Sequence, residues 1–105
     1  MRQKDLEIAK RLKERLSEAV YLIDFRVFGS RARGDEDEYS DMDVFIEVKS
    51  LDRELKEKIL DIVWEVGFEH FIVISPLIFT KDEIENSPLK VSPIVRNIVE
   101  EGVVV

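Results

Sequence analysis

One stretch, VFGSRARGDEDEYSDMDVFIEV over Val27–Val48, constrains this chain more than any other. Its last part, Met42 to Val48, is apolar or alternating, which reads as a buried core strand. Yet Asp41 and Asp43 stand at its start, two residues apart. Side chains alternate along a strand, so these carboxylates point the same way, with Cα atoms about 6–7 Å apart. Two like charges this close repel, and half-burying them is costly unless a cation lies between them or the strand end is solvated. Carboxylates at this spacing can converge on one ion or on a pair of ions ~4 Å apart. Oxygen-only ligands favour Mg²⁺ or Mn²⁺ over zinc.

Just upstream, Gly29-Ser30 ends a preceding strand. Glycine lets backbone approach a phosphate closely. Ser30 offers a hydroxyl and an N–H, and a helical turn starting there would aim free N–H groups at an anion. Arg31 and Arg33 are the dense positive charge nearest the acids. GSRARG is not a P-loop, because Gly34 is followed by Asp35 rather than Lys and Ser/Thr. Alone it also reads as a tight turn between strands.

The remaining pattern is a small mixed domain. Leu6, Ala9, Leu12, Leu16 and Ala19 recur at helical spacing over residues 4–20. Residues 20–28 read as a strand, 30–39 as a polar loop with room for one helical turn, and 41–48 as a second strand. Ser50 is placed to cap a helix over 51–66, with Leu55, Ile59, Ile62, Val63 and Val66 as its stripe and Gly67 as its stop. Residues 68–79 read as a third strand, with Pro76 implying an edge, a bulge or a break. Thr80 and Glu83 form a capping-box pattern for a short helix over 81–86. Ser92-Pro93 starts a last helix, with Ile94, Val95, Ile98 and Val99 inward and Gly102 as its stop. Val103–Val105 can add a terminal strand. Strands one and two should be antiparallel or mixed neighbours, and strand three parallel to strand two after a crossover helix. The expectation is an α+β domain over residues 1–105, a small mixed sheet with helices largely on one face.

Composition excludes several function classes. The chain has no Cys, so thiol catalysis, disulfides and zinc–thiolate sites are out. A net charge of −7 argues against broad nucleic-acid binding, which runs on Lys and Arg neutralising phosphates. No apolar run approaches the ~20 residues of a membrane span, and the charged N-terminus lacks the apolar core of a signal peptide, so a cytoplasmic protein is expected. Abundant Glu, Lys and Arg suggest a thermophilic source.

GSRARG followed by SDMDVFIEV resembles the minimal nucleotidyltransferases of the DNA polymerase β-like superfamily. Their pattern is Gly-Ser, a short polar loop, then Asp-x-Asp on a strand. The resemblance implies transfer of a nucleoside monophosphate from an NTP, with ATP as the first choice, to an acceptor hydroxyl. It implies that Gly29 and Ser30 hold the triphosphate with Arg31 and Arg33 nearby, and that Asp41 and Asp43 are the catalytic residues and ligate Mg²⁺ or Mn²⁺. Ser40 either fixes Asp41 through its hydroxyl or merely starts the strand. Such proteins are often paired with a small all-helical HEPN-type protein in toxin–antitoxin systems, so the resemblance also implies a HEPN-type partner.

Family members usually carry a third carboxylate on the strand after the crossover helix. Here Ser75 stands about where it is expected. Glu69 precedes that strand, Asp82 follows it, and Glu47 lies about 13 Å beyond Asp43 by strand rise. A regulator that binds nucleotide or a partner without fast chemistry is therefore the alternative. His70 reads as a surface or packing residue, Trp64 as core or interface, and 35–38 (DEDE) as a solvated loop. Apolar edge surface at Val103–Val105 and along the Phe-rich third strand points to a homodimer or a partner.

Overall fold

The two periodicities in the sequence, near 3.6 and 2 residues, become alternating helices and strands around one sheet. A computed structural model describes residues 1–35 and 39–105. Most of the acidic run, residues 36–38, lies outside the described residues. The elements are α1 (Gln3–Ala19), β1 (Leu22–Phe28), α2 (Gly29–Arg33), β2 (Met42–Val48), α3 (Arg53–Glu69), β3 (Ile74–Thr80), α4 (Lys81–Asn86), a 3₁₀ turn (Pro88–Val91), α5 (Pro93–Glu101) and β4 (Val103–Val104).

The sheet order is β3-β2-β1-β4. β1 pairs antiparallel with β2 and with β4, while β2 and β3 are parallel, joined by the crossover helix α3. This is the expected mixed α+β sheet. Met42, Val44, Ile46 and Val48 alternate along β2 and join Phe25 and Val27 of β1 in a core covered by α1 and α3. The intervening residues Asp43, Phe45 and Glu47 face the other side, where Phe45 meets Phe79 with ring centroids 5.8 Å apart. Arg26 alternates with the core residues Phe25 and Val27, and its Nη1 donates to the Val99 carbonyl at 2.7 Å. Helix α5 therefore lies on this second face, burying Val95 and Ile98. The two long helices share one face as expected, and the shorter α5 partly covers the other.

Several local expectations need correction. Asp52, not Ser50, caps α3, its carboxylate accepting from the Leu55 N–H at 2.8 Å. Gly67 does not stop α3, which runs on to Glu69. Its missing side chain instead lets the returning chain pass, since a Cβ there would stand 2.8 Å from the Ile72 carbonyl. The third strand consequently starts at Ile74 rather than at residue 68, after a reversal in which Phe71 takes a left-handed φ of 57°. Pro76 is tolerated because β3 is a sheet edge. On α5 only Val95 and Ile98 are buried; Ile94 and Val99 are exposed. Trp64 is not core: it is 69% exposed and stacks on Phe68, 67% exposed, at 5.3 Å. The Thr80–Glu83 capping box and the Pro93 start of α5 form as expected. Among the described residues, no helix is long and apolar enough to cross a membrane.

Candidate functional site

Strand pairing builds the site at one end of the sheet. In the antiparallel register Phe28 stands opposite Asp43, and in the parallel register Asp43 stands opposite Ser75. The chain leaves β1 at Phe28 and turns into α2 through Gly29, whose φ is +75°. That turn presses Gly29 against the next strand. A Cβ on Gly29 would lie 2.4 Å from Asp43 Oδ2, so any side chain there would push the carboxylate aside. The left-handed φ favours glycine at this position, and the missing side chain leaves Asp43 where it stands.

Asp43 lies on β2, whereas Asp41 falls just before it, since the strand starts at Met42 rather than at residue 41; the two are close enough for the Asp41 charge to act on Asp43. Asp41 is exposed and Asp43 half-buried. Burial foremost, and then the neighbouring Asp41 charge, hold the Asp43 carboxyl above the usual range, with Arg33 acting weakly the other way. Ser75 donates its hydroxyl to Asp41 Oδ2 at 3.0 Å. The position expected for a third carboxylate therefore carries a hydroxyl that orients the first. Among the described residues, no group of three or more His, Cys, Asp or Glu is placed to hold a metal ion.

The donor set nonetheless fits a hard divalent cation. Two neighbouring carboxylates supply oxygen donors, and the Asp41 charge acting on Asp43 is an excess that a cation would neutralise. Gly29 keeps the space beside Asp43 Oδ2 free of side chain.

The two arginines have different surroundings. Arg31 is buried (7% exposed); its Nη1 donates to Asp5 Oδ1 at 2.8 Å and its Nε to the Ser40 carbonyl at 2.9 Å. It ties α1, α2 and the residue before Asp41 together, so those two nitrogens are spent on structure rather than aimed at a ligand. Arg33 is exposed, donating from Nε to Asp35 Oδ2 at 3.2 Å. Ser30 sits in the first turn of α2, and among the described residues its hydroxyl makes no hydrogen bond. Ser40 contributes its carbonyl to the Arg31 clasp. His70 packs Nδ1 against the Val66 carbonyl at 2.8 Å and sits at the C-terminal end of α3, a packing role.

Asp5 was not foreseen as part of this arrangement. Its signal was present: it occupies the apolar stripe of α1 with Ile8, Ala9, Leu12 and Leu16. An acid at a core-facing position implies a buried cationic partner.

Comparisons with known proteins converge. The family model described as a nucleotidyltransferase domain matches residues 7–105. A protein of Methanocaldococcus jannaschii, assigned by inference as a protein adenylyltransferase, is 38% identical over 93 residues, covering 81% of this chain and 88% of its own. Among solved structures, one from Sulfolobus solfataricus, assigned by inference as a nucleotidyltransferase, shares the fold with a TM-score of 0.51 at 22% identity, covering 94% of this chain and 77% of that one. A toxin–antitoxin structure with AMP-PNP matches with a TM-score of 0.60 at 15% identity, over 91% of this chain and 70% of that one.

Proposed function

The chain belongs to the nucleotidyltransferase domain family, and on that premise we propose that it is a divalent-metal-dependent adenylyltransferase acting on a protein hydroxyl. The reaction moves AMP from ATP: the acceptor oxygen bonds to the α-phosphorus, the bond to the bridging oxygen breaks, and pyrophosphate leaves. The observation that carries this reading is the contact of Gly29 backbone with Asp43, beside Asp41, at the open end of β2.

In this reading Asp41 and Asp43 hold Mg²⁺ or Mn²⁺. The ion, when bound, neutralises triphosphate charge and stabilises the leaving oxygen. Gly29 lets phosphate oxygens approach the main chain. Ser30 offers its hydroxyl, and Arg33 its exposed guanidinium, to the triphosphate. Arg31 acts at one remove, fixing the Ser40 carbonyl and with it the entry to Asp41. Ser75 orients Asp41 through its hydroxyl.

The class of the M. jannaschii relative supports ATP and a protein acceptor. The toxin–antitoxin neighbour supports a toxin protein as that acceptor, and the resemblance carried by GSRARG and SDMDVFIEV makes a small HEPN-type protein the candidate. The direct test is incubation with ATP labelled at the α-phosphate, Mg²⁺ or Mn²⁺, and a co-encoded HEPN-type protein. Label on the partner, absent with Asp41→Asn/Asp43→Asn, is the expected result.

A second reading has its own observation. With Ser75 in place of a third acid, no third carboxylate among the described residues joins the Asp pair to take the acceptor proton, and a base of that kind contributes about 10²–10⁴-fold. On that reading the chain binds nucleotide and partner and neutralises by occupancy. ATP binding without transfer of label would favour it.

A further inference from the structure

We infer that the cavity between α2 and α5 receives the nucleobase of the donor nucleotide, and that Asn97 and Glu101 select a base with an exocyclic amino group. This deepens, and rests on, the reading of Gly29, Asp41 and Asp43 as a nucleotide site.

The cavity adjoins that site directly. It measures about 210 Å³ and is lined on one side by Phe28, Gly29 and Arg33. Gly29 is therefore common to both: one side of it meets Asp43, and it also borders the cavity. Phe28 is the cross-strand partner of Asp43, so the two side chains leave the sheet on the same face as neighbours. A nucleotide whose phosphates lie against Gly29 and Asp43 has this cavity as its adjoining enclosure. The volume is below the ~300–1,000 Å³ of sites that enclose drug-sized ligands whole. It suits a single ring system, with phosphates and metal outside at the Asp pair.

The lining matches a base in chemistry as well as size. The opposite wall is one face of α5, where Ile94, Asn97, Ile98 and Glu101 recur at the i, i+3, i+4, i+7 spacing of a single stripe. Phe28 on one side and Ile94 with Ile98 on the other give apolar surfaces for the faces of a planar ring. Asn97 and Glu101, four residues apart, give the polar edge. Among the described residues neither side chain makes a hydrogen bond or an ion pair, so their polar atoms are available.

The two groups differ in what they accept. The Asn97 amide both donates and accepts, which fits the paired donor and acceptor on an adenine edge. An ionised Glu101 only accepts. It suits the exocyclic amino group of adenine or cytosine and disfavours the carbonyl that uracil presents there. The same carboxylate repels phosphates, so the phosphate end points out toward Gly29 and Arg33.

The test is calorimetry with Mg²⁺ and three probes: ATP, UTP and inorganic tripolyphosphate. The proteins are the wild type, Asn97→Ala, Glu101→Gln, and Asn97→Trp, which fills the cavity from an exposed helix position; matched thermal melts check their folding. The expected wild-type order is ATP tighter than UTP, and ATP tighter than tripolyphosphate. Asn97→Ala should weaken ATP binding about tenfold, the effect of one hydrogen bond of ordinary strength. Glu101→Gln should narrow the gap between ATP and UTP, and Asn97→Trp should reduce ATP to the affinity of tripolyphosphate. Tripolyphosphate should bind wild type and both Asn97 variants alike, and Glu101→Gln, which lacks the repelling carboxylate, at least as tightly. If wild type prefers ATP and the variants keep that preference, the base lies elsewhere and the inference is overturned. Equal wild-type binding of ATP and tripolyphosphate overturns it too, while the phosphate site stands. If wild type binds neither, the underlying site reading fails and the inference falls with it.

Discussion

Gly29 lies so close to Asp43 that a Cβ on the glycine would stand 2.4 Å from the carboxylate oxygen. This contact joins the turn after β1 to the acid on β2, and the two halves of the sequence signature act as one object because of it. Gly29→Ala should therefore do two things. The left-handed φ costs about 1–2 kcal/mol of stability. The displaced Asp43 should lower metal-dependent ATP affinity, and a misplacement of about 1 Å can cost ~10²-fold in a positioned site. Urea denaturation and calorimetry read the two effects separately. Unchanged ATP affinity would mean that the contact is packing alone.

The buried pair Asp5–Arg31 should behave unlike the exposed pair Arg33–Asp35. Removing Asp5 leaves Arg31 buried at 7% exposure without its carboxylate. Asp5→Ala should cost about 3–5 kcal/mol in urea denaturation, the usual result of breaking a buried pair from one side. Arg33→Ala should change stability by no more than ~1 kcal/mol and weaken ATP binding instead. The reverse pattern would exchange the roles given to the two arginines.

Much of this was legible before any coordinates. The nearness of Asp41 to Asp43 at the start of β2, Gly29-Ser30 ahead of them, the strand directions and the Thr80–Glu83 capping box all follow from short spacings and connection lengths. The misses share a cause: their determinants are distant in the chain. Asp5 is explained only by Arg31, 26 residues away. Gly67 carries the same local signal whether it stops a helix or makes room for Ile72, and packing decided for the second. Arg31 and Arg33 look alike in GSRARG, and only burial separates the clasp from the exposed cation, which pairs locally with Asp35. The apolar stripe of α5 seemed wider than it is because the sequence does not say how little of that helix the sheet covers.

The two half-buried acids on β2 give a paired pH prediction. Burial first, then Asp24 and Glu85, raise the Glu47 carboxyl, with Lys81 and Arg26 opposing; burial and Asp41 raise Asp43, with Arg33 opposing. A raised carboxyl binds its proton more tightly in the folded state than in the unfolded one, so ionisation costs stability. That cost is absent below the ordinary carboxylate range and grows as pH rises through the raised value. Asp43→Asn and Glu47→Gln should thus match wild type in acid and exceed it near neutrality in urea melts without divalent ions. Added Mg²⁺ should remove the advantage at Asp43 and leave the one at Glu47. Identical Mg²⁺ responses at the two positions would argue against a metal at Asp43.

Ser75 can be turned into the acid that the β3 position lacks. It faces Asp43 in the β2–β3 register and reaches Asp41 Oδ2 at 3.0 Å. Ser75→Asp should lower stability without divalent ions, since three carboxylates then crowd one site. With Mg²⁺ it should bind the ion more tightly and raise label transfer by up to about 10²-fold, the lower end of what a positioned base contributes. Unchanged metal affinity and rate would show that this position does not serve the metal.

The most direct measurement is ATP binding by calorimetry, with and without Mg²⁺, for wild type and Asp41→Asn/Asp43→Asn. The expected result is ATP binding by wild type that requires Mg²⁺ and is lost in the double variant, whose fold is retained with equal or greater stability. Equal ATP affinity in the two proteins, or binding indifferent to Mg²⁺, would contradict the assignment of Asp41 and Asp43 as the metal-holding pair.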